Sequence, residues 1–136
     1  MISREVGDKS NEGYLLLNKG LIYYRLGDYA DAIQYCQQAL QLAQEIGEKS
    51  LEVNILCQLG ISLGKLQNYS EALEKLGQAQ KIGQETGEKK TEGSAYYALA
   101  ETYHEMGKKE LKEEYRNKAV KIAQELRIGV ELLANV

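Results

Sequence analysis

A seven-residue phrase written three times at a fixed interval sets the terms on which this chain can fold. REVGDKS at Arg4 to Ser10 returns as QEIGEKS at Gln44 to Ser50 and as QETGEKK at Gln84 to Lys90, each 40 residues after the last. Laid on each other without a gap, residues 11–50 and 51–90 agree at 13 of 40 positions. An internal period of this length marks a stacked array, in which each unit is too small to bury its own apolar face and uses its neighbour's. Function is then sought on a repeated surface, not in a catalytic pocket.

The pattern inside the unit is helical. After Asn11, which can cap a helix start, Leu15, Leu16, Ile22, Tyr23 and Leu26 recur at four- and seven-residue intervals. Gly27-Asp28 signals a turn. Ala32, Ile33, Cys36, Ala39, Leu40, Ala43 and Ile46 then form a second helical stripe, which Gly47 stops. Each unit reads as helix, turn, helix, turn. The chain has no proline, and its apolar fraction of 43% beside 27% charge disfavours disorder and a loop-rich sandwich. Gly20 and Gly60 sit mid-helix, with Ala100 at the same place. Glycine there costs about 1 kcal/mol relative to alanine, so close helix contact is expected at that level.

The expected units are 11–50, 51–90 and 91–130, preceded by residues 1–10 as the tail of an earlier unit and followed by 131–136 as a cap or the start of a further helix. Beginning in mid-motif is what a segment of a longer array, or partial loss of a repeat, would produce. The third unit departs from the others. Lys112 and Arg116 replace Ala32 and Cys36, or Ala72 and Leu76, while Leu111 and Tyr115 offer apolar side chains one position earlier, which predicts a rotated helix. The tail from Gln124 supplies Leu126, Ile128, Val130, Leu132, Leu133 and Val136, as a seventh helix or an extension of the sixth that covers the last unit.

These residues resemble the tetratricopeptide repeat. Its pattern stands in the first unit as Leu16, Gly20, Tyr23, Gly27, Tyr29, Ala32, Cys36 and Ala39. It returns in the second as Leu56, Leu59, Gly60, Leu63, Tyr69, Ala72, Leu76 and Ala79, and in the third as Tyr96, Leu99, Ala100, Tyr103, Gly107 and Ala119. The family's usual repeat has about 34 residues and ends in proline. The 40-residue unit here ends in GEK and resembles a longer-repeat subclass, its helices longer by about a turn and a half. The resemblance implies an all-α fold, a right-handed α-α superhelical solenoid of helix-turn-helix repeats, with the first helices lining a concave groove that takes extended or helical peptides.

Carried over position by position, the resemblance marks Tyr14, Leu17, Asn18, Leu21, Tyr24 and Arg25 in the first unit, then Asn54, Cys57, Gln58, Ile61 and Lys65 in the second. In the third it marks Ser94, Tyr97, Glu101, His104 and Glu105. Leu17 and Leu21 fall where chaperone-binding members hold a carboxylate terminus with cationic and amide side chains, so that clamp is not expected here. Asn18 and Gln58 are expected to bond the backbone of a bound peptide, because an amide donates and accepts at once.

No enzyme is expected. His104 is the only histidine, and Cys36 and Cys57 lack an evident base. GISLGK at Gly60 to Lys65 is one residue short of a phosphate loop and lies in a helical stretch. Two cysteines 21 residues apart imply neither a zinc ribbon nor a disulfide framework, and no cofactor or metal is expected. A net charge of −3 gives no reason to expect nucleic acid. No apolar run approaches the length of a membrane span, and no secretory signal opens the chain. The expectation is a cytoplasmic scaffold module that binds a protein or peptide. The alternatives are a self-associating structural segment that forms homo-oligomers through its repeat ends, and a regulatory or sensor domain tethered to an enzyme.

Overall fold

A computed structural model describes the backbone of residues 2–134 and the side chains of residues 5–127. Six helices follow one another: α1 (Ile2–Arg25), α2 (Tyr29–Ile46), α3 (Lys49–Lys65), α4 (Tyr69–Thr86), α5 (Lys89–Glu105) and α6 (Lys109–Ala134). They pair as three hairpins, and the described residues contain no strand.

The hairpin turns share one chemistry. Gly27, Gln67 and Gly107 adopt φ of 80°, 65° and 73°. The amide after each donates back five residues, from Asp28 to Tyr23, Asn68 to Leu63 and Lys108 to Tyr103, at 2.8 to 2.9 Å. Left-handed backbone closes the helix end by satisfying carbonyls that would otherwise be orphaned. Gln67 makes the same turn with a side chain, at a steric cost of about 1 to 2 kcal/mol. Between hairpins Gly47 and Gly87 are left-handed too, both at φ 69°, and after Gly47 the Glu48 amide donates to Ala43 at 3.1 Å.

Small residues set the distance between paired helices. A methyl group on Gly60 would stand 2.5 Å from Leu76 Cγ, and one on Gly20 would stand 3.0 Å from Cys36 Sγ. Each glycine thus admits the facing side chain of its second helix, and this close approach offsets the low helix propensity.

Successive hairpins stack by burying α3 in the middle. It touches α1, α2, α4 and α5, and Leu51, Val53, Ile55 and Leu56 are fully buried on it. First helices touch first helices, α1 on α3 and α3 on α5, whereas among the described residues α2, α4 and α6 do not touch each other. The row of first helices is therefore the inner wall of the curve. Ser10 donates to Glu48 and Ser50 to Glu88, both at 2.9 Å, repeating one tie at each junction.

Two expectations are corrected. No helix starts at Asn11, because residues 2–10 run continuously into α1. Gly7 stands where Gly47 and Gly87 turn, yet it does not adopt their positive φ. A turn there would forfeit intrahelical bonds, and no described helix packs before α1 to compensate.

The third hairpin is also not rotated. Tyr115 stacks on Tyr103 at 5.6 Å, as Tyr35 stacks on Tyr23 at 5.3 Å, so the register of the first hairpin is kept. The tail extends α6 to Ala134 instead of forming a seventh helix. Its expected covering side chains from Ile128 onward, and Val136 itself, lie outside the described residues.

Candidate functional site

On the inner wall, side chains at matching positions of α1, α3 and α5 converge on a groove of about 580 Å³. From α1 come Leu17 and Leu21, from α3 Asn54, Cys57, Gln58 and Ile61, and from α5 Lys90, Gly93, Ser94, Tyr97 and Ala98. The far wall is α6, through Ala119, Ile122, Ala123 and Leu126. Leu17, Cys57, Gln58 and Ile122 are almost fully buried and make the floor, while Tyr97 and Asn54 are exposed at the rim. Such a surface, apolar below with a few amides and hydroxyls above, accepts apolar side chains and orients a backbone. Gln58 Nε2 donates to Ser62 Oγ at 3.4 Å within its own helix. Part of its bonding capacity is thereby used, so Asn54 is the freer amide.

A second cleft of about 430 Å³ adjoins the first through Tyr97 and is lined by Lys65, Ala100, Glu101, His104, Glu105, Lys112 and Arg116. It exists because Lys112 and Arg116 replace the small or apolar residues that close the same gap in the other hairpins. Lys65 pairs with Glu105, whose hydrogen bond raises the lysine's pKa against the opposing effect of burial. A hydrogen bond to Glu101, and then its charge, raise the Tyr97 phenol. Tyr24 is raised chiefly by burial, with Lys65 opposing and Glu101 adding, which places it over the same cleft. Its ring lies 5.5 Å from that of Tyr29. The cleft thus carries both signs of charge beside two phenols.

The side chains expected at the site divide accordingly. Leu17, Leu21, Asn54, Cys57, Gln58, Ile61, Ser94 and Tyr97 line the main groove, and Lys65, Glu101, His104 and Glu105 line the second cleft. Tyr14, Asn18, Tyr24 and Arg25 are part of neither lining, although Tyr24 is within electrostatic reach of Lys65, Glu101 and Glu105. Asn18 is exposed on α1 outside both. Sequence reasoning missed the α6 wall and the Lys112 and Arg116 side of the cleft. The substitution of Arg116 for Cys36 and Leu76 was the available signal for the cleft. For the wall there was little, since Ala119 and Ala123 match Ala39 and Ala43, which are buried under a following helix.

Burial pushes the Cys36 and Cys57 thiols up to about 12. Both are therefore protonated and unreactive near neutral pH. GISLGK lies within α3, where its amides are spent on the helix. Among the described residues no His, Cys, Asp and Glu group could hold a metal ion, and no helix is long and apolar enough to cross a membrane.

Two tetratricopeptide repeat profiles match the chain, one over residues 12–85 and the other over residues 93–126. No curated protein matches it. Among solved structures, the TPR domain of Arabidopsis FLU is similar with a TM-score of 0.74 and 25% identity, over 85% of this chain and 98% of that one. A TPR-like protein from Chlorobium tepidum is similar in fold, with a TM-score of 0.69 at 20% identity, over 88% of this chain and 83% of that one.

Proposed function

Because the chain belongs to the tetratricopeptide repeat family, whose repeats generally mediate protein–protein interactions, we propose that it is a non-enzymatic scaffold module whose inner groove holds a peptide or helix of a partner protein. The supporting observation is the groove itself. Its apolar lining of Leu17, Leu21, Ile61 and Ile122 suits two or three apolar side chains, and Asn54 and Tyr97 at the rim suit the partner's backbone. Of the first-helix residues assigned to the site, those outside the groove and the adjoining cleft, Tyr14, Asn18 and Arg25, are given no part in it. Two free, buried cysteines suit a reducing compartment such as the cytoplasm.

Selection from a displayed random peptide library tests this reading. The chain should enrich apolar sequences, and Leu21→Glu with Tyr97→Ala should abolish enrichment while helicity by circular dichroism stays unchanged. Equal enrichment by the double variant would sink the groove assignment.

A second reading, association of the chain with copies of itself, is favoured by the outer face of α1. There Leu15 and Ile22 are 63% and 55% exposed.

A further inference from the structure

The face of α1 that carries Leu15 and Ile22 has two internal counterparts, and both are covered. Ile55 and Ser62 take these positions in α3, and Ala95 and Thr102 take them in α5; all four are buried, with 1% or less exposed. The hairpin before packs on this side of each helix: Thr102 lies against Gly64 of α3, and Gly83 of α4 lies against Thr91 and Glu92 at the start of α5. The second helix of that hairpin presents Ala39, Leu40 and Ala43 in α2, all buried. The same stripe on α6 is Ala119, Val120 and Ala123, where Val120 is 45% exposed and Ala123 is open. One end of the array thus shows the knob side of the repeat junction, and the other end shows the matching stripe.

We infer that copies of this chain stack head to tail, with α1 of each copy packed on α6 of the copy before it as α3 packs on α2. The occupant is a second copy, on three grounds. The first is continuity, since the contact repeats a junction the chain already makes twice. The second is length. α1 begins seven residues before Lys9, the counterpart of the first residues of α3 and α5, and α6 runs eight residues past Leu126, the counterpart of the last residues of α2 and α4. In the antiparallel pairing of a junction these extensions lie side by side, adding about two turns of contact.

The third ground is charge. At inner junctions Ser10 meets Glu48 and Ser50 meets Glu88, 38 residues on. The same step from Lys90 reaches Asp8 of the next copy, an ion pair in place of a hydroxyl bond. Likewise Lys65 meets Glu105, 40 residues on, and the next step sets Glu105 beside Arg25 of the following copy. A junction of this kind is heterologous and does not close on itself, so assembly continues past the dimer.

The inference rests on the second reading above; Ala119 and Ala123 belong both to this stripe and to the α6 wall of the groove, so stacking and peptide binding meet on α6. Sedimentation velocity of the 136-residue chain across a concentration series tests it. The average mass should rise above 15.3 kDa and should not level off at twice that value. Leu15→Glu with Ile22→Glu, both at exposed positions, should hold the chain at monomer mass with unchanged helicity. Asp8→Lys should raise the concentration needed for assembly about threefold, and adding Lys90→Asp should restore it. A constant 15.3 kDa up to millimolar protein would overturn the inference and leave the α1 face to a preceding helix of a longer polypeptide. Assembly of the Leu15 and Ile22 variant at parental concentrations would overturn it as well. Peptide selection with that same variant reports on the groove alone, because neither residue lines it, so the two readings fail separately.

Discussion

The middle and third hairpins share register, turn geometry and length of first helix, yet one is closed and the other is cleft. In the middle hairpin Leu76 presses into the space over Gly60, where even a methyl group would stand 2.5 Å from it. In the third, Arg116 takes the place of Leu76 and Ala100 the place of Gly60, and the gap between the helices opens into a cleft of about 430 Å³. The first hairpin lies between these cases, with Gly20 against Cys36. A single facing pair therefore decides whether a repeat contributes core or contributes surface. Stability and binding are traded one hairpin at a time, on an unchanged backbone.

Exchanging these residues should break the contrast. The largest effect is expected from Leu76→Arg, which places a cation at a fully buried position packed against Gly60. It should cost about 4 kcal/mol or more in urea unfolding. Gly60→Ala comes next, at about 1 to 3 kcal/mol of overpacking despite the better helix propensity of alanine, whereas Ala100→Leu in the third hairpin should leave the urea midpoint unchanged. Gln67→Gly should stabilise by about 1 kcal/mol, since it relieves left-handed backbone at a residue with a side chain. An unchanged or lower melting temperature for that variant would argue against strain at the turn.

The smallest effect is invisible at neutral pH. Cys36 holds the position of Leu76 and Arg116, and burial lifts its thiol to about 12 from an ordinary value of 9.0. The unfolded chain loses that proton first, so the thiol's contribution is intact below pH 9 and is lost as pH rises from 9 towards 12. Cys36→Leu, which copies the middle hairpin, should flatten this part of the alkaline stability curve. An alkaline fall identical to the parent's would mean that other groups cause it.

The period, the hairpins and the inner wall were legible because each rests on spacing. Forty residues of offset carry Leu17 to Cys57 and Tyr97, and these three do share one groove. Spacing alone does not report whether a stripe has a neighbour. Ala119, Ile122 and Ala123 look like core because Ala39, Leu42 and Ala43 look the same, and they become a wall because no described helix follows α6 in the chain. The helix start at Asn11 failed for the same reason. The phrase around Gly7 matches those around Gly47 and Gly87, but its conformation depends on what packs beside it. The third hairpin's register was legible in principle. Tyr23 with Tyr35 and Tyr103 with Tyr115 stand at the same 12-residue separation, a signal outweighed by the charges at Lys112 and Arg116.

The position of α3, in touch with α1, α2, α4 and α5, bears on how the chain opens as well as how it stands. In a one-dimensional stack, end units fray while interior units open only with a neighbour. Amide protons in α3 should therefore exchange last, at rates set by global unfolding, with those of α2 and α4 close behind. The terminal hairpins then behave as two independently opening leaves on a shared spine. A ligand laid across all three inner helices would slow the exchange of both leaves at once, because it binds only when both are closed.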